Sequence, residues 1–313
     1  MTLRSIVCAA VLLAASPALA QKQVTLLATV TSPDGKPVGA VDPLAVKVTE
    51  NDAAAAIVKV EPVNRVRKLH LLIDNGVGIP SEALSDLRKG VRGLLEAVPA
   101  GVQISLYTTA PQPRPIERGT PDREKALKAV DLITPDNGAG RYVEGLYELS
   151  ERIERDKDSS NVVVAVATSS GDLRVRDDDV KKVVQRSANG RMKVYTVLFA
   201  RNASSSVSGG DLQATVGESI AKTSGARFEK INASSRLATL LPEIGAELAA
   251  TMGETAQQIR ITVDRPGGQS GNLGRMSLGV SGLLVSSVNI ESSRSHPGSS
   301  SRDCPTARQD DPR

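Results

Sequence analysis

Leu71-Leu72-Ile73-Asp74-Asn75-Gly76-Val77-Gly78-Ile79-Pro80 decides how this chain folds. Apolar residues lead into an acid, two glycines and a proline. Ser81 to Ala97 follows with helical spacing: Leu84, Leu87, Val91, Leu94 and Leu95 share one face, while Glu82, Asp86, Arg88, Lys89 and Arg92 fall largely outside it. The spacing predicts a strand that ends in a tight turn and opens a helix. A carboxylate at such a point lies at the edge of a sheet, beside the free N–H groups of a helix start. The two glycines by themselves require no more than a tight turn.

The same alternation continues downstream. Val102 to Tyr107 reads as a strand, Asp122 to Leu132 as a short helix opened by Thr120-Pro121-Asp122, and Arg141 to Asp156 as a second helix. Asn161 to Thr168 is the strongest strand, Asp177 to Ala188 a helix with acids at its positive end, and Lys193 to Ala200 a strand. Leu212 to Ser224 reads as a helix closed by Gly225, Ala226 to Lys230 as a strand, and Ser234 to Ala250 as a long last helix. Strands that are apolar on both faces and alternate with helices predict an α/β fold. Its doubly wound, Rossmann-like, mostly parallel sheet is covered by helices on both faces. Ligands of such sheets sit at the carboxyl ends of the strands, where Asp74 and Ser169-Ser170 fall.

Both flanks read as β. Val24 to Thr31, Leu44 to Glu50 and Ile57 to Val60 are separated by turns at Pro33–Pro37 and Asn51-Asp52, which predicts a small antiparallel unit too short to stand alone. After Gly253, Ile259, Ile261 and Val263 alternate, Pro266-Gly267-Gly268 turns, and Met276 to Val288 continues as strand. These segments are expected to join the first unit and bracket the α/β domain. The expected organisation is a signal peptide at 1–20, a β-unit at 21–66, the α/β domain at 67–252, β-strands at 253–291 and a Ser-, Arg- and Pro-rich disordered tail at 292–313.

The signal expectation rests on Arg4, the short apolar run Ile6 to Ala15, and Ala18-Leu19-Ala20 before Gln21. It implies an exported protein, periplasmic or secreted, with no membrane span once the segment is cleaved. Cys8 lies in that segment, which leaves Cys304 as the one thiol of the mature chain and no internal disulfide. With two histidines, a zinc site of the usual ligands is not expected. Aromatic residues make up 2% of the 313 residues and Trp is absent, so the core must be Leu, Val, Ile and Ala. Surfaces for stacking bases are scarce, and the net charge of +4 is scattered among acids, so nucleic acid is not an expected partner.

Several segments carry a family resemblance in order. Val24 to Val30, Asp34-Gly35-Lys36-Pro37-Val38 and Val46 to Asn51 look like opening strands, Arg92 to Val98 and Val102 to Thr108 like a first helix and second strand. Val194 to Ala200 and Ile220 to Phe228 look like a later strand, helix and glycine turn. Together, over roughly Val24 to Val263, the chain resembles secreted bacterial von Willebrand factor A-related proteins. The resemblance implies a domain that binds proteins without catalysis, and a metal site built from Asp-x-Ser-x-Ser, a Thr from a later loop and an Asp after the central strand. A hard divalent ion such as magnesium suits that oxygen set. Here Asp74 matches the first Asp, but Gly76 and Gly78 replace the serines, Gly140 or Arg141 stands near the Thr, and Ser169 replaces the second acid with Asp172 displaced. The metal-ion-dependent adhesion site is therefore degenerate, and no cofactor is expected.

Asp74-Asn75-Gly76-Val77-Gly78 also resembles the Asp-x-Gly-x-Gly box of histidine-kinase and gyrase-type ATPases, in which the Asp accepts from the adenine amino group. That family's upstream Asn-bearing helix and downstream Gly-rich lid have no counterpart here: Asn51, the nearest candidate, lies at a strand turn. Val216 to Thr223 matches a P-loop only at its Lys-Thr end, and Ser169-Ser170 lacks a nucleophile elbow. His70 reads as a strand residue facing a helix or solvent. The expectation is an exported, non-enzymatic adhesion- or scaffold-type domain that binds an unidentified protein without metal. Its binding loops would be Asp74, Asn75, Gly76 and Gly78; Gly140 and Arg141; and Ser169, Ser170 and Asp172. The ATPase and a purely structural envelope protein are the alternatives.

Overall fold

The structure is a computed structural model and describes residues 23–156, 158–170, 176–188, 192–200, 210–253, 256–268 and 272–291. The expected signal segment, Asp172 and the tail lie outside the described residues. In chain order the first strands are β1 (Gln23–Thr31), β2 (Val46–Glu50), β3 (Ala53–Ala54), β4 (Ala56–Val63), β5 (Val66–Ile73), β6 (Gln103–Thr108) and β7 (Arg114–Thr120). The later ones are β8 (Ser159–Thr168), β9 (Met192–Phe199), β10 (Phe228–Ile231), β11 (Ala256–Asp264), β12 (Met276–Val280) and β13 (Leu284–Glu291). The helices are α1 (Ser81–Ala97), α2 (Arg123–Asp131), α3 (Tyr142–Arg155), α4 (Asp177–Ala188), α5 (Gly210–Ser224) and α6 (Leu237–Met252).

Six strands form one sheet in the order β10-β9-β8-β5-β6-β7, parallel except for β7. The central strands are apolar on both faces because both faces are covered. Leu69, Leu71 and Ile73 of β5, with Val162, Val164 and Val166 of β8, pack in one core with α1, α2 and α6. Leu72, Val163, Ala165 and Ala167 pack in the other with residues of α3, α4 and α5. His70 lies on this second side, 93% buried by its 7% exposure, and its Nε2 is 3.1 Å from the Asn161 Oδ1. Burial pushes its imidazole down to about 4, so it is held neutral between the strands. It faces helices and not solvent.

α1 and α6 lie close enough that a Cβ on Gly90 would sit 2.3 Å from the Leu237 carbonyl oxygen. Alanine normally favours a helix interior over glycine by about 1 kcal/mol. Here backbone stands in its way, so Gly90→Ala is expected to lower the melting temperature. A rise would mean that the two helices separate freely.

The flanking strands form two antiparallel sheets, β13-β1-β11-β4 and β12-β2-β3. Val24, Leu26, Ala28, Val30, Ile259, Ile261 and Val263 pack against Val46, Val48 and Val280 between them. Three expectations are corrected. The first strands do not form one antiparallel unit among themselves: β1 pairs with β11 and β13, and β2 belongs to the opposite sheet. Met276 to Val288 is not one strand, because Gly282 adopts φ +76° and the chain crosses from one sheet to the other. β7 was not foreseen, since Pro115 and the charges of Arg114–Arg118 mask a strand that pairs on one side only.

Candidate functional site

Chain connections leave the middle of the six-stranded sheet in opposite directions, since β6 lies on one side of β5 while β8 and β9 lie on the other. In doubly wound sheets this reversal opens a crevice at the carboxyl ends of the strands. Asp74 follows β5 there, and Ser169 follows its neighbour β8. The Asp74 N–H donates to the Val166 carbonyl at 2.8 Å, which extends the parallel ladder by one bond and fixes where the carboxylate begins.

The carboxylate turns inward and is 0% exposed. Its Oδ1 accepts from the Gly76 N–H at 2.8 Å, and its Oδ2 accepts from the Thr168 hydroxyl at 2.6 Å. Burial raises its pKa, against the opposing pull of those bonds. Gly140 closes over it: a Cβ there would lie 2.2 Å from Oδ2 and 2.3 Å from Oδ1. A Cβ on Gly78 would lie 2.2 Å from the Thr168 Oγ1, and one on Gly76 would lie 2.3 Å from the Gly138 carbonyl oxygen. The glycines at 76, 78 and 140 are therefore demanded by close packing of three loops, and a serine at 76 or 78 has no room.

Asn75 ties the same loops together. It is 3% exposed, accepts from the Ala110 N–H at 3.1 Å and donates to the Thr134 carbonyl at 2.8 Å. Its own carbonyl accepts from the Asp136 N–H at 2.8 Å, and the Asp136 carboxylate accepts from the Gly138 N–H at 2.8 Å. The Gly138 carbonyl accepts from the Val77 N–H at 3.1 Å. Arg141 donates its N–H to the Thr109 carbonyl and pairs its side chain with Glu144 at 3.3 Å. Ser169 is half-buried, with its N–H on the Phe199 carbonyl at 3.2 Å, and Ser170 is exposed.

Asp74, Asn75, Gly76, Gly78, Gly140, Arg141, Ser169 and Ser170 thus come together, but as a floor and a rim. Asp74, Asn75, Gly76 and Gly140 form a buried floor, and a partner's cation cannot reach the Asp74 carboxylate. In this position the carboxylate caps its own turn. The exposed rim is Val77, Asn137 and Ser170, with Val77 58% accessible. Thr168 is the contributor that sequence reasoning missed. Its signal was a hydroxyl ending an otherwise apolar strand beside the strand that carries the acid.

These residues do not fit a divalent cation. Positions 76 and 78 supply no side-chain oxygen, and the Gly140 backbone occupies the approach to the Asp74 carboxylate, which is 0% exposed. Among the described residues no three His, Cys, Asp or Glu side chains cluster. The same closure leaves no path for an adenine amino group to Asp74.

An amide in place of the acid keeps the Gly76 contact and reverses the direction of the one to the Thr168 hydroxyl. In Asp74→Asn, Oδ1 accepts from Gly76 and Nδ2 donates to Thr168. A carboxyl whose pKa is raised on folding binds its proton more tightly folded than unfolded, so the wild type loses stability as pH rises through that window. Asp74→Asn is expected to melt at or above the wild type at pH 7, with the difference shrinking as pH falls toward 3.8. A clear loss at pH 7 would show that the buried charge itself is needed.

The fold defined by this sheet is von Willebrand factor A-like. No family model and no curated protein sequence matches the chain. Among solved structures it is similar to a von Willebrand factor type A protein from Catenulispora acidiphila, with 11% identity over 86% of this chain and 74% of that one and a TM-score of 0.50. It also aligns with the conserved hypothetical protein BatB from Bacteroides thetaiotaomicron, with 11% identity, 59% of this chain, 100% of that one and a TM-score of 0.44. Proximal thread matrix protein 1 from the mussel byssus aligns with 16% identity, 61% of this chain, 50% of that one and a TM-score of 0.47.

Proposed function

We propose that this chain is an exported, non-enzymatic protein-binding domain of adhesion or scaffold type, and that it binds without metal. The observation that carries the metal-free part is the Asp74 carboxylate, closed in by Thr168, Gly76 and Gly140. What remains for a partner is the rim around it. Val77 offers an apolar anchor at the tip of the first loop, and Asn137 and Ser170 offer hydrogen-bonding groups on the two neighbouring loops. Asn75 and Asp136 tie the first of these loops to the second, and Thr168, just before the third, is bonded to Asp74. Asp172 belongs to the third loop by sequence. Among the described residues no helix is long and apolar enough to cross a membrane.

A photoreactive residue at position 77 or 170, expressed in the producing cell, is expected to trap one discrete protein adduct, and one at Arg118 on β7 is expected to trap none. Equal labelling from all three positions would reject the rim as the binding face. Amino-terminal sequencing of the exported chain is expected to begin at Gln21. Retention of the full chain in the cytoplasm would reject export.

A further inference from the structure

We propose that the chain forms a two-fold dimer in which β13 pairs antiparallel with β13 of a second copy. β13 ends the four-stranded sheet and, among the described residues, pairs only with β1. It is eight residues long, Leu-Val-Ser-Ser-Val-Asn-Ile-Glu, without proline, lysine or arginine. The other edges are guarded or short. β4 carries Lys59 and Pro62, β7 carries Pro115 and Arg118, and β10 has four residues with Glu229 and Lys230. β12 has five residues with Gly279 inside, and β3 has two. Soluble proteins blunt long edges with charge or proline, and an edge left bare is a template for another strand.

The side chains point the same way. Of nine large apolar side chains that are markedly exposed among the described residues, two lie together on one face of β13, Val288 at 39% and Ile290 at 41%, while Leu284 at 58% lies on the other face beyond the bulge and outside the pairing. Val288 and Ile290 stand opposite Ala28 and Leu26, on the face that packs in the sandwich. They are left open because the facing sheet has three strands against four.

The strand is complementary to itself. Antiparallel pairing centred on Asn289 sets Val288 opposite Ile290 of the second copy, and by symmetry Ile290 opposite Val288. Such β-branched cross-strand pairs stabilise a sheet. Ser287 then faces Glu291, so the two glutamates do not meet. Each Glu291 is already paired with Arg65 at 2.7 Å and Arg260 at 2.8 Å. The result is an eight-stranded sheet across the two-fold, and it closes at two copies because β4, the opposite edge, carries Lys59 and Pro62. The chain's own tail is a poor occupant, since residues 292–313 contain no Leu, Ile, Val, Met or Phe.

Sedimentation of the full chain as purified from its cells tests this. The wild type is expected at twice the chain mass. Val288→Lys and Ile290→Lys are expected to weaken association at least tenfold while melting within a few degrees of wild type, and Val58→Lys on β4 to leave it unchanged. Independently, Asn289→Cys in a Cys304→Ser background is expected to give a covalent dimer on oxidation, and Val58→Cys in the same background none. A wild-type monomer at high concentration, or a dimer that survives both lysines with no crosslink at 289, would overturn the pairing.

Discussion

Gly140→Ala is expected to destabilise the protein by about 3 kcal/mol, at the upper end of what overpacking costs. The new methyl would lie 2.2 to 2.3 Å from three atoms of the Asp74 carboxyl group, and that group cannot retreat. It is buried, with the Gly76 N–H on one oxygen and the Thr168 hydroxyl on the other. The loop must lift instead, which strains the Arg141 N–H bond to Thr109 and the Val77 N–H bond to Gly138. Urea unfolding reads the loss. The double variant Gly140→Ala/Asp74→Ala is expected to recover part of it, because removing the carboxylate makes room for the methyl. Two neighbours that share one space do not add. Strict additivity would mean that residue 140 is not packed on the acid.

Glu50→Ala is expected to lower the melting temperature by on the order of 10 °C, the size expected when a buried pair loses one partner. Glu50 ends β2, and Arg265 follows β11 in the opposite sheet. The carboxylate accepts from Arg265 Nε at 2.9 Å and Nη2 at 2.6 Å, and from the Gly274 N–H at 2.8 Å. Glu50 is 0% exposed and Arg265 5%, so the alanine variant keeps the guanidinium inside the sandwich on the Asn272 carbonyl but removes the carboxylate that balances its charge. The guanidinium also holds the Glu50 carboxyl below its usual range. A carboxyl depressed on folding gives stability that is present above its unfolded value near 4.5 and fades as pH falls through its folded value. The gap between wild type and Glu50→Ala should therefore narrow in acid. Glu50→Leu/Arg265→Met is expected to restore much of the melting temperature, since an apolar pair avoids the desolvation of two charges. If Glu50→Ala alone changed nothing, the pair would not hold the sheets together.

The α/β alternation was legible because it is local. α1 and α4 fall at Ser81–Ala97 and Asp177–Ala188, as their spacing and polar flanks predict, and Asp122 caps α2 by accepting from the Lys125 N–H at 3.1 Å. The apolar runs of β5 and β8 announced a sheet covered on both faces. Asn51 and Asp52 were readable as a turn, and both adopt positive φ, 47° and 67°, as a two-residue hairpin requires. Pairings between distant segments were not legible. Nothing near Glu50 points to Arg265, 215 positions away, and nothing near β1 says that it skips β2 for β11. At the site, sequence placed the three loops at one end of the sheet. It could not separate floor from rim, because the burial of Asp74 depends on a hydroxyl 94 positions later and on a glycine from a third loop.

The most direct test of the closed site is titration of the isotope-labelled chain with Mn²⁺ while amide signals are followed. Metal held at the Asp74 carboxylate would broaden Gly76, Gly140 and Ser170 first and saturably. The structure predicts no selective broadening there at concentrations that leave exposed acids such as Asp178 and Asp52 only weakly affected. Saturable loss of the Gly76 and Gly140 signals would contradict it, and would mean that the loop over Asp74 opens to admit a cation.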